Sequence, residues 1–283
     1  MAEYFTSRGL PVPEELARPW YADKRRWATL LGTLAVLGVG FWYTGFDPRR
    51  ISFEYAPNIL VQLARPDFSI CGPQNEFETW RDGACGLIVE TIFLGIVASA
   101  IAIVFALPLS FLGARNLMTG NPLTTAVYTM VRLLFTFIRS IDVLILAILF
   151  VVMVGLGSPA GILALAFHNI GVLGKLYSEA IEGIDPGPIE AITATGANRV
   201  QVVWTAVIPQ IVNPFVSFTI YRLDTNVRLA PIIGLVGGGG IGVMLFQTIQ
   251  LLQYRQAAFI ILLIIVTVAA MDFISAQVRK RLA

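Results

Sequence analysis

Arginines and aspartates inside apolar runs pose the first chemical question of this chain. Arg132, Arg139 and Asp142 stand in one run, and Arg222, Asp224 and Arg228 in another. A guanidinium carries forked N–H donors that match the oxygens of a phosphoryl or carboxyl group, so such residues can conduct or hold an oxyanion. They can also be structural, because a charge in an apolar setting needs a partner. Spacing offers partners: Arg139 and Asp142 are i, i+3, and Asp224 and Arg228 are i, i+4. Arg132 and Arg222 read as paired to carboxylates, carbonyls or lipid head groups. Arg139 and Arg228 are open between pairing and lining a polar path. Asn226 either adds a neutral donor to that path or packs. His168, in LAFHNIGV, reads as a packed histidine beside Asn169, with path-lining or proton binding as the alternative. Lys175 and Glu179 are spaced to pair, and Asp272 is expected to pair with a neighbouring helix. Four arginines against two aspartates leave these two runs with surplus positive charge, doubled if the chain dimerises.

Other chemistry is poorly supported. The single histidine and the lack of a Ser-His-Asp or paired-carboxylate constellation argue against acid–base catalysis. No metal-ligand cluster is visible, so neither catalytic nor metal residues are assigned. There is no G-x-x-x-x-G-K-[ST], hence no ATP hydrolysis by this chain. Gly237, Gly239 and Gly242 formally match G-x-G-x-x-G, but no strand precedes them and no acidic residue follows about 20 positions on, so a dinucleotide site is rejected. The net charge of +2 gives no reason to expect nucleic acid. Cys71 and Cys85 fall in one polar loop and are either a disulfide or two free thiols.

These side chains must be carried by membrane helices. Of the 283 residues 56% are hydrophobic and 13% charged, with mean hydropathy +0.74, against roughly 25% charged in a soluble domain. Six runs approach or exceed the ~20 residues needed to cross a bilayer: 27–46, 86–113, 122–156, 159–182, 207–236 and 256–278. Lipid-facing backbone must satisfy itself, so the fold class is an all-α polytopic membrane protein. The polar residues 1–26 are not a cleavable signal, and 14–22 could form a short surface helix. Lys24, Arg25 and Arg26 precede the first span, and Arg279, Lys280 and Arg281 follow the last. By the positive-inside rule both termini are cytoplasmic, loop 47–85 is external and loop 183–206 is cytoplasmic. The domain expectation is a cytoplasmic segment 1–26 followed by one membrane domain, 27–283.

Loop 183–206 opens with the Gly/Pro cluster GIDPGP and leads into IEAITATGANRVQVVWTAVIPQ. Glu190 and Ala191 are followed by Gly196, then by Ile208 and Pro209. The spacing resembles the EAA loop of ABC-importer permeases: Glu-Ala-Ala, three residues, Gly, nine residues, Ile-x-Leu-Pro. Ile192, Ala206 and Ile208 depart in type but stay apolar. The small residues Ala191, Ala194 and Ala197 suit a thin helix, Pro188 and Glu190 suit its first turn, and Gly196 suits a turn. The segments 154–185 and 221–242 resemble the phosphonate-importer branch of that family. Asp142 stands where related permeases often have proline after Arg-Ser-Ile.

The resemblance implies a type I ABC-importer permease of the bacterial cytoplasmic (inner) membrane, working as a homodimer. Partners would be two ATPase subunits, which bind ATP and magnesium, and an external substrate-binding protein. Glu190, Ala191, Gly196 and Pro209 would couple to the ATPase. Gly237, Gly238, Gly239 and Gly240 would form a turn near the external gate, and the cargo would be a phosphonate or related phosphorus oxyanion. A rival reading is an ion-coupled secondary transporter using Asp142, Asp224 or His168.

Overall fold

A computed structural model describes residues 24–45, 54–73, 79–118 and 120–282. Most of the N-terminal segment, including the suggested helix at 14–22, lies outside the described residues. Contacts divide the chain into two compact units, Met1–Pro57 and Asn58–Ala283.

The first unit is represented by α1, Lys24–Thr44, an uninterrupted apolar helix long enough to span a bilayer. Its Leu, Val, Trp and Tyr side chains are exposed in the chain taken alone, as suits lipid contact.

Helix α2 (Ala56–Leu63) follows, and the second unit then continues with two short 3-10 turns at Phe68–Cys71 and Trp80–Asp82. Helices α3 (Ala84–Leu112), α4 (Arg115–Met118), α5 (Pro122–Ser140), α6 (Val143–Val154) and α7 (Ser158–Glu182) come next. Helices α8 (Pro186–Ala194) and α9 (Arg199–Val202) lead through a π turn, Val203–Val207, into α10 (Ile208–Leu235). Helices α11 (Ile241–Gln250) and α12 (Tyr254–Leu282) end the chain. Every regular element among the described residues is helical, and five helices are long and apolar enough to cross a membrane, or six spans with α5 and α6 counted as one.

Small residues set the packing. Buried Gly95, Ala98, Ser99, Ala102 and Ala106 form a stripe on α3, and α7 offers Ala160, Gly161, Ala164, Gly171 and Gly174. Membrane helices gain little from expelling lipid, so close backbone approach of this kind drives their association. The fit is tight: a methyl on Gly174 would strike the Phe135 ring, and one on Gly171 would meet Ile138 at 2.7 Å. Thus α5 is pressed onto α7 while α3 and α10 close the other sides.

Two features correct the sequence reading. The run 122–156 is not one straight span: α5 and α6 are bent by 89° at Ile141–Asp142. Asp142 is the N-cap of α6, its carboxylate accepting a hydrogen bond from the Leu144 N–H at 2.8 Å. It therefore starts a helix instead of continuing one, and the expected Arg139–Asp142 pair on a shared helix does not form among the described residues. Second, the chain after the glycine cluster folds into α11, a ten-residue helix too short to cross a bilayer.

Candidate transport pathway and coupling loop

At the end of α7 the chain turns out of the bundle. Asp185 caps α8, accepting from the Gly187 N–H at 2.9 Å, with Pro186 at the first helical position where its missing N–H costs nothing. Helix α8 has no buried residue, and Glu190 and Ala191 are exposed. Glu190 falls in the second turn of α8, since the helix begins two residues before Pro188. Gly196 has φ +83°, the left-handed region, and a side chain added there would meet nothing within 4 Å. Its role is conformational: it reverses the chain between α8 and α9. Asn198 and Gln201 then exchange reciprocal hydrogen bonds of 2.9 Å, a cap that starts α9. Pro209 is exposed in the first turn of α10.

One residue that the sequence reading passed over closes this helix-turn-helix at its base. Gln210 Oε1 accepts from the Asp185 N–H at 2.9 Å, and Nε2 donates to the Ala206 carbonyl at 2.8 Å. The two strands of chain entering and leaving the loop are thereby tied. The signal was present, since Gln210 directly follows the Ile-Pro step, but a pairing over 25 residues is not readable from spacing. Arg132 reinforces the same end, donating to Glu182 at 2.6 Å and to the Gly113 carbonyl at 2.8 Å. The Arg115 N–H donates to the same Glu182 carboxylate at 2.7 Å. Lys175 pairs with Glu179 at 3.6 Å.

Helix α10 carries the remaining polar side chains on two faces. One face ties it to α7 and α3: Tyr177 and Thr219 share a hydrogen bond of 2.6 Å, Arg222 Nε donates to Asn169 Oδ1 at 2.9 Å, and Asn226 Nδ2 donates to Ser99 Oγ at 2.7 Å. The other ties it to α12: Arg228 meets Asp224 at 3.3 Å and Asp272 at 2.6 Å. A charge at the bilayer centre costs on the order of 3 kcal/mol on insertion scales, and this double pairing offsets it for Arg228. Arg139, at the end of α5, is exposed and makes no ion pair among the described residues. His168 lies one residue from Asn169, with its Nδ1 buried and unpartnered.

At the opposite end of the bundle, Gly237, Gly239 and Gly240 take φ of +92°, +84° and +70°. The turn is embedded. Gly157 donates its N–H to the Gly237 carbonyl at 2.9 Å, and the Ile241 N–H donates to Thr91 Oγ1 at 2.8 Å. A Cβ on Gly239 would lie 2.5 Å from the Ser158 nitrogen, and one on Gly238 would collide with Ile233. Ser158 in turn donates to Glu90. Beyond it, Cys71 and Cys85 are joined by a disulfide, with Cα atoms 4.8 Å apart, fastening the Phe68–Cys71 turn to the start of α3.

The described chain is thus a polytopic bundle with polar seams between its spans, an embedded glycine turn at one end and an exposed helix-turn-helix at the other, an arrangement that suits the membrane-embedded subunit of a transport system. Residues 106–283 match the family described as binding-protein-dependent transport system inner membrane component. The chain is 36% identical over 261 residues to the phosphite transport system permease protein PtxC of Stutzerimonas stutzeri, covering 90% of each chain. It is 39% identical over 242 residues to the phosphate-import permease protein PhnE of Mycolicibacterium smegmatis, covering 86% of this chain and 43% of that longer one. Among solved structures, a chain of the MetNI methionine ABC transporter in an inward-facing conformation superposes with TM-score 0.60 at 23% identity, covering 69% of this chain and 94% of that one. The chain belongs to the family of binding-protein-dependent transport system inner membrane components. It is a multi-pass inner-membrane permease of an ABC importer, as the resemblance in its sequence implied.

Proposed function

We propose that two copies of this chain form an alternating-access pathway for a phosphorus oxyanion, driven by two separate ATPase subunits that carry ATP and magnesium. An external binding protein delivers the cargo. Helices α8 and α9 project from the bundle on the cytoplasmic side and dock into the ATPase, with both termini on that side and the Cys71–Cys85 disulfide outside. The observation that carries this reading is the coupling loop. Its first helix buries no side chain, its turn is a left-handed glycine in open space, and its base is tied to α10 by Gln210. Exposure of small residues on a rigidly based knuckle suits insertion into a partner's cleft, and the tie passes its displacement to a spanning helix. The cargo class rests on the relatives named for phosphite and phosphate transport. The ion-coupled alternative is disfavoured because Asp142 is used as a helix cap and Asp224 pairs with Arg228.

Co-purification tests the reading. A cognate ATPase subunit should remain bound to the wild-type chain and be lost from a Glu190→Arg/Gly196→Pro variant that still folds. Liposomes containing the whole assembly should take up phosphite or phosphate only when ATP is on the ATPase side. Uptake by the permease alone, without ATP, would overturn it.

A further inference from the structure

The four arginines of α5 and α10 separate into two kinds. Arg132 is neutralised by Glu182, and Arg228 by Asp224 and Asp272. Arg222 and Arg139 are not. Arg222 is 8% exposed, and both of its recorded hydrogen bonds, from Nε and Nη2, go to the single Oδ1 of Asn169, a neutral group. Two of five guanidinium donors are thus used, and no carboxylate among the described residues meets the charge itself. Asn169 is fully buried, yet among the described residues its Nδ2 meets no acceptor, and the neighbouring His168 Nδ1 is likewise buried without a partner. Arg139 follows Ile138, which packs on Gly171 two residues after Asn169, so the end of α5 lies against this part of α7, and its charge acts on both His168 and Arg222. The remaining charge facing His168 is Asp142, whose carboxylate is engaged as the α6 cap, while Tyr221 neighbours Arg222.

These groups come from α5, the α5–α6 bend, α7 and α10, and they meet at mid-depth. Arg222 is about 20 Å from either end of α10, and His168 about 15 Å from the start of α7, at 1.5 Å per residue. Spare donors, excess positive charge and an orphaned amide N–H at one level of the bundle all ask for the same thing, an acceptor-only anion with several oxygens.

We propose that Arg139, Asn169 and Arg222 form a relay site in mid-membrane, beside His168, for a tetrahedral phosphorus oxyanion. The substrate class rests on the function proposed above, whereas the anion preference follows from this cluster alone. Arg222 is held by Asn169 as the fixed element, and Arg139, exposed at the end of α5 with no ion pair among the described residues, is the element that can follow the anion. A site with one fixed and one mobile cation holds its cargo weakly enough to release it, as conduction requires. Arg228 is a clasp between α10 and α12, outside this site.

The test uses the complete transporter, with its ATPase and binding protein, in liposomes supplied with inorganic phosphite or phosphate. Arg139→Gln should lower uptake about tenfold or more, the effect of losing a charge-assisted contact, while ATPase stimulation by the loaded binding protein is retained. Arg139→Lys should recover part of the uptake. Wild-type uptake in Arg139→Gln, or parallel loss of ATPase stimulation, would overturn the proposal. A second assay is independent of the cargo. Cys71 and Cys85 are bonded to each other, so Ser140→Cys introduces a lone thiol beside Arg139. An anionic methanethiosulfonate should modify it about tenfold faster than a cationic one, as expected in a basic cleft. Adding Arg139→Gln should erase that preference. Equal rates in the single variant would overturn the site. Anion preference without phosphite or phosphate uptake by the wild type would uphold the site and refute the proposed cargo.

Discussion

Two glycine turns sit at opposite ends of the bundle and use the same residue for opposite reasons. Around Gly196 there is open space, and the glycine serves a left-handed backbone on an exposed knuckle. Around Gly237–Gly242 there is no space at all: the absent side chains let α11 and the turn lie directly on Ser158, Thr91 and Pro231. The first stands clear of the chain's own packing. The second is built into the chain's own packing, where Glu90, Ser158 and Thr91 fix it to α3 and α7. A sequence scan sees glycine in both; what differs is the neighbourhood, and so the cost of adding one methyl group.

That contrast is sharpest in substitution. Gly242→Ala should be the most damaging change, because its Cβ would collide with the Pro231 carbonyl and lie 2.8 Å from Gly234 Cα, backbone atoms that cannot rotate aside. Overpacking of this kind costs roughly 3 kcal/mol or more, so the variant should lose most of its monodisperse peak in fluorescence-detected size exclusion. A wild-type peak would show the turn to be loose. Thr91→Val should cost about 2 kcal/mol by stranding the buried Ile241 N–H, read as a lower melting temperature. Gly196→Ala should cost only about 1 kcal/mol, the penalty of a left-handed non-glycine residue. Its melting curve should shift less than that of Thr91→Val, while ATP-driven uptake falls because the knuckle is misaligned. Gln210→Ala should barely change the melting curve yet lower transport per ATP hydrolysed, measured as the ratio of uptake to phosphate release.

The smallest effect belongs to the loop near the disulfide. The backbone N–H and the hydroxyl of Thr79 both donate to the Asp82 carboxylate at 2.8 Å, holding its pKa below the ordinary 3.8. A carboxylate with a depressed folded pKa adds stability above its unfolded value and loses it as pH falls through the folded value. Thr79→Ala should therefore move the Asp82 carboxyl titration upward, seen by carbon-13 NMR, with transport at neutral pH unchanged.

Much of the architecture was legible because membrane helices announce themselves by length and apolarity. The spans at 27–46, 86–113, 159–182, 207–236 and 256–278 all correspond to helices. The exposed helix-turn-helix at 186–202 was legible because Gly-Pro steps, Glu190-Ala191 and Gly196 carry local conformational meaning at fixed intervals. The bend at Ile141–Asp142 was not, since the run is apolar on both sides and hydropathy is blind to direction. The cues were an aspartate, an N-capping type, directly before VLILAILF, and its place where related permeases often have proline. Helix α11 was missed because ten apolar residues after a glycine cluster look the same as the edge of a span. The Asp224–Arg228 pair followed from helical spacing. The Arg228–Asp272 clasp, the Gln210 tie and the Asn169–Arg222 contact connect residues 25 to 53 positions apart and needed the fold.

The central claim is that the knuckle at 186–202 is gripped by a separate ATPase on the cytoplasmic side. Ala191→Cys tests it most directly, because the bonded native cysteines leave it as the one free thiol. In inside-out vesicles a short bifunctional thiol crosslinker should join residue 191 to the ATPase subunit, and a membrane-impermeant maleimide added to intact cells should leave that thiol unmodified. Modification of residue 191 from outside intact cells would contradict the account.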